Sequence, residues 1–328
     1  MPTINDIARK VGVSASTVSR ALNGSRLISA AMRDKIDAVA RDAGYDKRPN
    51  RRHRGRAILN VKLVLPRHSD PERSLFYDFA ALVEGLRRGF TLCGLNLLCE
   101  VNAPGFKPFP HKKGGDIDAF VFAFHRPAAS LIKKLERHDV PFVVLNRAIP
   151  DMPCVAVDHD LGMLELLDHL IGRMKEIRPK FISIEDLGSI HEERLAAFDA
   201  ACRLRRIAFD PEKDCLVFEN TAAIQWEGMA EAGQKANVLI CVNDIVGTVI
   251  LSELFQNGLE VPGQIAVTGF DDSPVRRLSR PMLTTVSLPV EELAEQAALR
   301  LQKEIIENQP SGKLQRLSGK VIPGDSTP

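Results

Sequence analysis

Residues 3–24 read TINDIARKVGVSASTVSRALNG, and their spacing decides the fold of the N-terminal part of the chain. Ile4, Ile7, Ala8 and Val11 recur at i, i+3, i+4 and i+7, which places them on one face of a helix. Thr3 stands where an N-cap belongs, and Asp6 falls in the first turn, where the helix dipole favours negative charge. Gly12 ends this helix. Ser14 then caps a second one, whose Val18, Ala21 and Leu22 form another apolar face closed by Gly24. Working outward, Ser29 opens a third helix that buries Met32, Ile36, Val39 and Ala40 and stops at Gly44. Short helices meeting at a tight turn outline a helix-turn-helix unit.

The distribution of charge fits that outline. Residues 1–60 hold 13 Lys and Arg against 5 Asp and Glu, a net +8, and residues 61–328 carry −6. The whole-chain value of +2 therefore hides a basic head on an acidic body, an asymmetry that points to a nucleic-acid-binding module joined to something else. After Tyr45 comes DKRPNRRHRGRAILN, with Lys47, Arg48, Arg51, Arg52, Arg54 and Arg56 close together. Pro49, Gly55 and charge repulsion make this segment a linker.

The head closely resembles the DNA-binding domain of the lactose-repressor (LacI/GalR) family. The likeness is carried by TINDIARKVGVSASTVSRALNG and RDKIDAVARDAGY. In such a unit the second helix lies in the major groove. The resemblance implies that Ala15, Ser16 and Arg20 face base edges, with Arg20 able to grip guanine bidentately and Ala15 to touch a thymine methyl. Ser14, Thr17 and Ser19 are placed for phosphates, and Asn23 belongs to the same surface. The family's minor-groove leucine is missing, because its place falls on Arg54 or Arg56. Either Ile58 or Leu59 replaces it from a shifted register, or Arg51, Arg54 and Arg56 read an A·T-rich minor groove, as the AT-hook-like HRGR implies; a linker adding only nonspecific affinity is the third option.

From residue 61 short β-rich runs alternate with helical stretches: VKLVL (61–65), LNLLCEV (95–101), DAFVFAF (118–124), PFVVLN (141–146), KFISI (180–184), NVLICV (237–242) and QIAVTGF (264–270). This is the rhythm of parallel βαβ units, repeated in two doubly wound halves. No GxGxxG follows a first strand and no GxxxxGK[ST] is present, so dinucleotide and nucleoside triphosphate binding are disfavoured.

The body is in turn similar to the effector-binding half of the same family, with the fold of periplasmic binding proteins. VPFVVLNRAIPDMPCVAVDHDLG, EERLAAFDAA, NVLICVNDIVGTVILSELFQNGLEVPGQIAVTGFDD and PMLTTVSLPVEELAEQA carry the likeness. The expected fold class is α/β: a small all-α head plus a two-lobed parallel-sheet body. The expected domains are a head at 1–46, a basic hinge at 47–60 and a body at 61–328, with one lobe at 61–157 plus 286–322 and the other at 158–285. An effector between the lobes would sit at the C-terminal ends of strands.

The family's contact positions fall on Asp271, a carboxylate able to accept two hydroxyl hydrogen bonds, and on Arg194, a planar fork of donors. They also fall on Asn243, on Asn146 where the family has aspartate, and on His125. Trp226 and Phe76 would be aromatic walls. Together these describe a polar, neutral-to-cationic cleft suited to a sugar or related small molecule. Each has a plainer reading: Asp271 as a turn cap, Arg194 as the partner of a nearby glutamate, Trp226 as core.

The remaining chemistry is sparse. Asp158, His159 and Asp160 look catalytic, but adjacent residues rarely converge on one reacting atom, and HEER at 191–194 lacks the second histidine of HExxH. Catalytic residues, a cofactor and a metal site are not expected. The six cysteines are scattered without a CxxC pair and read as buried or free thiols. MPTINDIARK puts charged residues where a secretory leader needs an apolar core, and no run of apolar residues is long enough to span a bilayer, so a cytoplasmic protein without membrane contact is expected. The most economical reading is a regulator binding double-stranded operator DNA as a homodimer, a tetramer being compatible too. A solute-capture protein with an appended head is the alternative, and the +8 head argues against it.

Overall fold

Thr3 caps the first helix reciprocally. The Asp6 amide donates to its Oγ1 (3.3 Å), and its own amide donates to Asp6 Oδ2 (2.9 Å). Helix α1 (Ile4–Val11) ends at Gly12, whose φ of +81° is a left-handed conformation that glycine adopts without steric cost. Ser14 Oγ then accepts the Thr17 amide (3.1 Å) and starts α2 (Ala15–Leu22), and Ser29 Oγ accepts the Met32 amide (3.3 Å) at the start of α3 (Ala30–Asp42). Ile7, Ala8, Val11, Val18, Ala21, Ile36 and Ala40 form the buried core of the three helices, with Met32 and Val39 packed at its edge. The structure is a computed structural model and describes residues 3–22, 28–45, 58–67, 78–109, 117–187, 189–225, 236–307, 309 and 312–328.

By its internal contacts the chain divides into two compact units. One comprises Met1–Arg67, Val83–Ala156 and Glu292–Gln315; the other comprises His68–Leu82, Val157–Glu291 and Arg316–Pro328. In the first, β1 (Ile58–Pro66), β2 (Gly94–Asn102), β3 (Ala119–Ala123), β4 (Phe142–Leu145) and β5 (Cys154–Asp158) join β11 (Leu314–Ser318) in the order β11-β5-β4-β3-β1-β2. The β1–β2, β1–β3, β3–β4 and β4–β5 pairs are all parallel. Helices α4 (Phe79–Gly89) and α5 (Ala129–Arg137) connect strands. Every residue of β3 and β4 is buried, as expected of parallel strands covered on both faces.

The second unit repeats the winding with α6 (His159–Ile171), β6 (Pro179–Ile184), α7 (Ser189–Arg205), α8 (Pro211–Asp214), β7 (Cys215–Phe218), β8 (Val238–Cys241), α9 (Asp244–Gln256) and β9 (Ala266–Thr268). Its four strands run in the order β7-β6-β8-β9, all parallel. In both sheets the order reverses beside the first strand, at β1/β3 and at β6/β8. Such switch points leave a crevice outside the carboxyl ends of the strands.

Two boundaries differ from the sequence expectation. Residues 58–60, expected in the hinge, already belong to β1, because Ile58, Leu59 and Asn60 pair with Gly94, Leu95 and Asn96. Leu59 is 1% exposed in that strand, which removes it as a minor-groove wedge. The last segment of the first unit is also shorter than expected: β10 (Thr285–Val286) pairs antiparallel with β12 (Val321–Ile322), and this ties 316–328 to the second unit, with α10 (Val290–Gln302) between them in sequence.

Candidate functional site

On the head, α2 presents one face to its core through Val18 and Ala21 and the other to solvent. Ser14 and Ser16 are exposed, and Ser14 Oγ lies 2.8 Å from both Ser16 Oγ and Thr17 Oγ1, so three hydroxyls gather at the first turn. This turn also carries backbone amides and the positive end of the helix dipole, which together favour an anion. Arg20 is exposed one turn further on, while Ala15 is half-buried against the head's core and presents only part of its methyl group. Ser19 is half-buried. Asn23, Arg51, Arg54 and Arg56 lie outside the described residues, as do Phe76 and Trp226 of the body.

Of the five remaining body candidates, four follow the end of a strand and Arg194 stands on a helix. In the first unit His125 follows β3, and its Nδ1–H donates to the Ala123 carbonyl (2.9 Å), which fixes the ring. Asn146 follows β4, is buried, and has φ +55°; its amide donates to the Val155 carbonyl (2.7 Å). Phe124, just before His125, also has positive φ (+61°). Non-glycine residues held in the left-handed region mark local strain, and strain of this kind gathers at functional sites.

In the second unit Asn243 follows β8, Asp271 follows β9, and Arg194 stands on α7, the helix after β6. Arg194 and Asp271 are 2% and 8% exposed and form a two-pronged ion pair: Nη1 donates to Asp271 Oδ2 (3.3 Å) and Nη2 to Oδ1. Arg194 Nη1 also donates to the Val242 carbonyl (2.6 Å), and the guanidinium carbon lies 4.0 Å from the centroid of the Phe270 ring. Asp271 is held at φ +112° by its amide, which donates to the Val286 carbonyl (2.7 Å), and by its carbonyl, which accepts the Leu288 amide (3.0 Å). Two residues expected to grip an effector therefore grip each other. The charge of Arg194 is matched within the unit, so this part of the site is neutral.

Asn243 serves the fold first. Its Oδ1 accepts the Val246 amide (2.9 Å) and caps α9. Sequence reading missed the neighbouring Asp244, which is fully buried. Its Oδ2 accepts the Ser273 amide (2.6 Å), and its Oδ1 accepts the Thr285 hydroxyl (2.5 Å). Burial, reinforced by the nearby charge of Asp271, pushes the Asp244 carboxyl well above the ordinary carboxylate range. The available signal was a second acid directly after the strand in VND.

Asp158, one of the three catalytic-looking residues, caps α6 by accepting the Leu161 amide (3.1 Å). His159 is buried behind it, with Nδ1 3.4 Å from Glu193 Oε2. Burial pushes the thiols of Cys202 and Cys215 up to about 12 and about 11, so neither is a ready thiolate near neutral pH. Among the described residues no group of three or more His, Cys, Asp or Glu side chains could hold a metal ion, and no helix is long and apolar enough to cross a membrane.

Comparison with known proteins bears on both parts of the chain. Residues 3–50 match the family described as bacterial regulatory proteins, lacI family, and residues 171–327 match the periplasmic binding protein-like domain. The HTH-type transcriptional regulator GalR of Escherichia coli (strain K12) is 30% identical, over 94% of this chain and 91% of that protein. The HTH-type transcriptional repressor CytR of Escherichia coli (strain K12) is 24% identical over 91% and 88%. Among solved structures, a transcriptional regulator CelR–cellobiose complex aligns with a TM-score of 0.67 at 22% identity, covering 99% of this chain and 100% of that one. The lac repressor dimer bound to operator and the anti-inducer ONPF aligns at 0.64 and 18%, with 99% of each chain covered. At these identities the structural likeness speaks for the fold.

Proposed function

The chain belongs to the lacI family of bacterial regulatory proteins, and from that premise we propose that it is a ligand-responsive repressor that binds a pseudo-palindromic operator as a homodimer. It is a transcriptional regulator, not an enzyme. Residues 1–46 read the operator: Arg20, Ala15 and Ser16 at base edges, Ser14, Thr17, Ser19 and Asn23 at phosphates. The basic segment at 47–57, with Arg51, Arg54 and Arg56, adds phosphate or minor-groove contacts. The body, from β1 at residue 58 onward, pairs the subunits and holds a sugar or related small polar effector.

Two-fold symmetry supplies the logic of the dimer, since two identical heads match two inverted half-sites. The effector logic follows from linkage: a ligand that binds one arrangement of the body better than the other changes DNA affinity by that same factor. Arg194, Asn243 and Asp271 on the second unit, with Asn146, His125, Phe76 and Trp226, are the proposed contacts. The observation that carries the effector reading is the buried Arg194–Asp271 pair at the carboxyl ends of a switch-point sheet. A hydroxyl-bearing ligand can replace it with matched donors and acceptors.

A thermal-shift screen of the full chain against sugars, sugar acids and polyols tests this reading. A ligand present at about 100 times its Kd adds about 2.7 kcal/mol of stability. The expected result is a stabilising polyhydroxylated compound whose effect is lost in Asp271→Ala. A response of Asp271→Ala equal to wild type would remove Asp271 from the site.

A further inference from the structure

Around the ring of Phe270 two polar atoms lack partners. Arg194 Nε–H, a donor, and His159 Nε2 are both buried and make no hydrogen bond. The two side chains use different parts of the same ring: the Arg194 guanidinium lies over it, and the His159 imidazole meets it edge-on at 5.6 Å between centroids and 80° between planes. His159 is 6% exposed, and its other nitrogen, Nδ1, faces the Glu193 carboxylate at 3.4 Å. A carboxylate at that distance calls for a donor, so the ring proton sits on Nδ1 and Nε2 is a bare acceptor. Burial, with the neighbouring charge of Arg194, lowers the His159 pKa, and Glu193 and Asp271 oppose that effect only in part, so the ring stays neutral near pH 7.

Buried polar atoms without partners cost free energy, and their presence calls for an explanation. Both atoms are buried and have no protein partner while Arg194 and Asp271 hold each other. The strained φ of Asp271 lies at the same place. One orphan donor, one orphan acceptor and one strained acid therefore cluster where the Arg194–Asp271 pair has to open for a ligand.

We propose that His159 is a specificity-determining residue of the effector site, its Nε2 accepting a hydroxyl hydrogen of the effector while Arg194 Nε–H donates to a ligand oxygen. The proposal rests on the reading of Arg194 and Asp271 as effector contacts. It restricts the ligand to a neutral molecule with a hydroxyl in that position. A carboxylate there would meet the acceptor lone pair and the nearby Glu193 charge.

The test uses the full chain with cellobiose, D-glucose and D-glucitol as probes, and compares calorimetric binding by wild type, His159→Phe and His159→Gln. For a probe that wild type binds, His159→Phe should weaken binding about five- to tenfold, the loss expected for one hydrogen bond, and His159→Gln should recover most of it. Equal binding by His159→Phe and wild type overturns the proposal and leaves the effector site standing. Failure of wild type to bind any probe overturns the sugar reading itself, and the proposal with it. Histidine 15N spectra of the wild-type chain need no variant: Nε2 of His159 should be unprotonated in the free chain and shift on addition of the bound probe, and a proton on Nε2 in the free chain refutes the assignment.

Discussion

Replacing Arg194 by Met keeps the length and most of the apolar contact over Phe270 but leaves the Asp271 carboxylate, 8% exposed, without its cation. Removing one partner of a buried ion pair typically costs about 3–5 kcal/mol, because the remaining charge stays desolvated. For a unit of this size each kcal/mol lowers Tm by about 2–4 °C, so Arg194→Met should lower the melting of the second unit by about 6–20 °C. The cause is the stranded charge, so adding Asp271→Asn, a side chain that tolerates positive φ, should raise the stability of Arg194→Met. A second substitution that rescues the first is the signature of this mechanism. Scanning calorimetry of wild type, both single variants and the double variant gives the cycle. A shift below about 2 °C for Arg194→Met, or a double variant no more stable than Arg194→Met, would refute the reasoning.

Other outcomes follow from the same geometry. A Cβ on Gly269 would come within 2.2 Å of Asp244 Oδ1 and 3.1 Å of Asp244 Cα, so Gly269→Ala should destabilise the second unit by about 1–3 kcal/mol or more, read by urea unfolding. Burial lowers the pKa of His159 from 6.5; below that value the unfolded chain takes up a proton that the folded unit resists, so this contribution to stability is lost as pH falls. The raised Asp244 acts in the opposite direction, so the informative quantity is a difference: between pH 7.5 and 5.5, His159→Gln should lose less stability than wild type. Arg20→Ala should relax base preference at one operator position by about 1–3 kcal/mol in competition binding, and a uniform loss over all sequences would assign Arg20 to phosphate instead.

The head was legible because its signals are local. Thr3, Ser14 and Ser29 accept amides three residues on, and the Gly12 amide donates to the carbonyl four residues back, so cap chemistry can be read from a short window. Strands β1 to β4, β6, β8 and β9 were legible as apolar runs. CVAVD and CLVF were not singled out, although both are short parallel strands, and the two-residue β10 and β12 exist only through the long-range pairing of Thr285 with Ile322 and of Val286 with Val321. At the site, the likeness to the lacI family pointed to Arg194 and Asp271 one at a time. Their mutual pairing spans 77 residues and needs the fold to become visible. The same holds for His159, which looked like part of a local acid–histidine cluster and is placed instead by Glu193 and Phe270.

Whether a dimer of basic heads reads an inverted repeat is decided by selecting DNA from a random pool with the full chain and sequencing what is retained. The expected result is enrichment of one pseudo-palindrome with two inverted half-sites, and loss of preference at one symmetric position of each half-site in Arg20→Ala. Enrichment without symmetry, for instance of A·T-rich tracts alone, or an unchanged motif in Arg20→Ala, would contradict it.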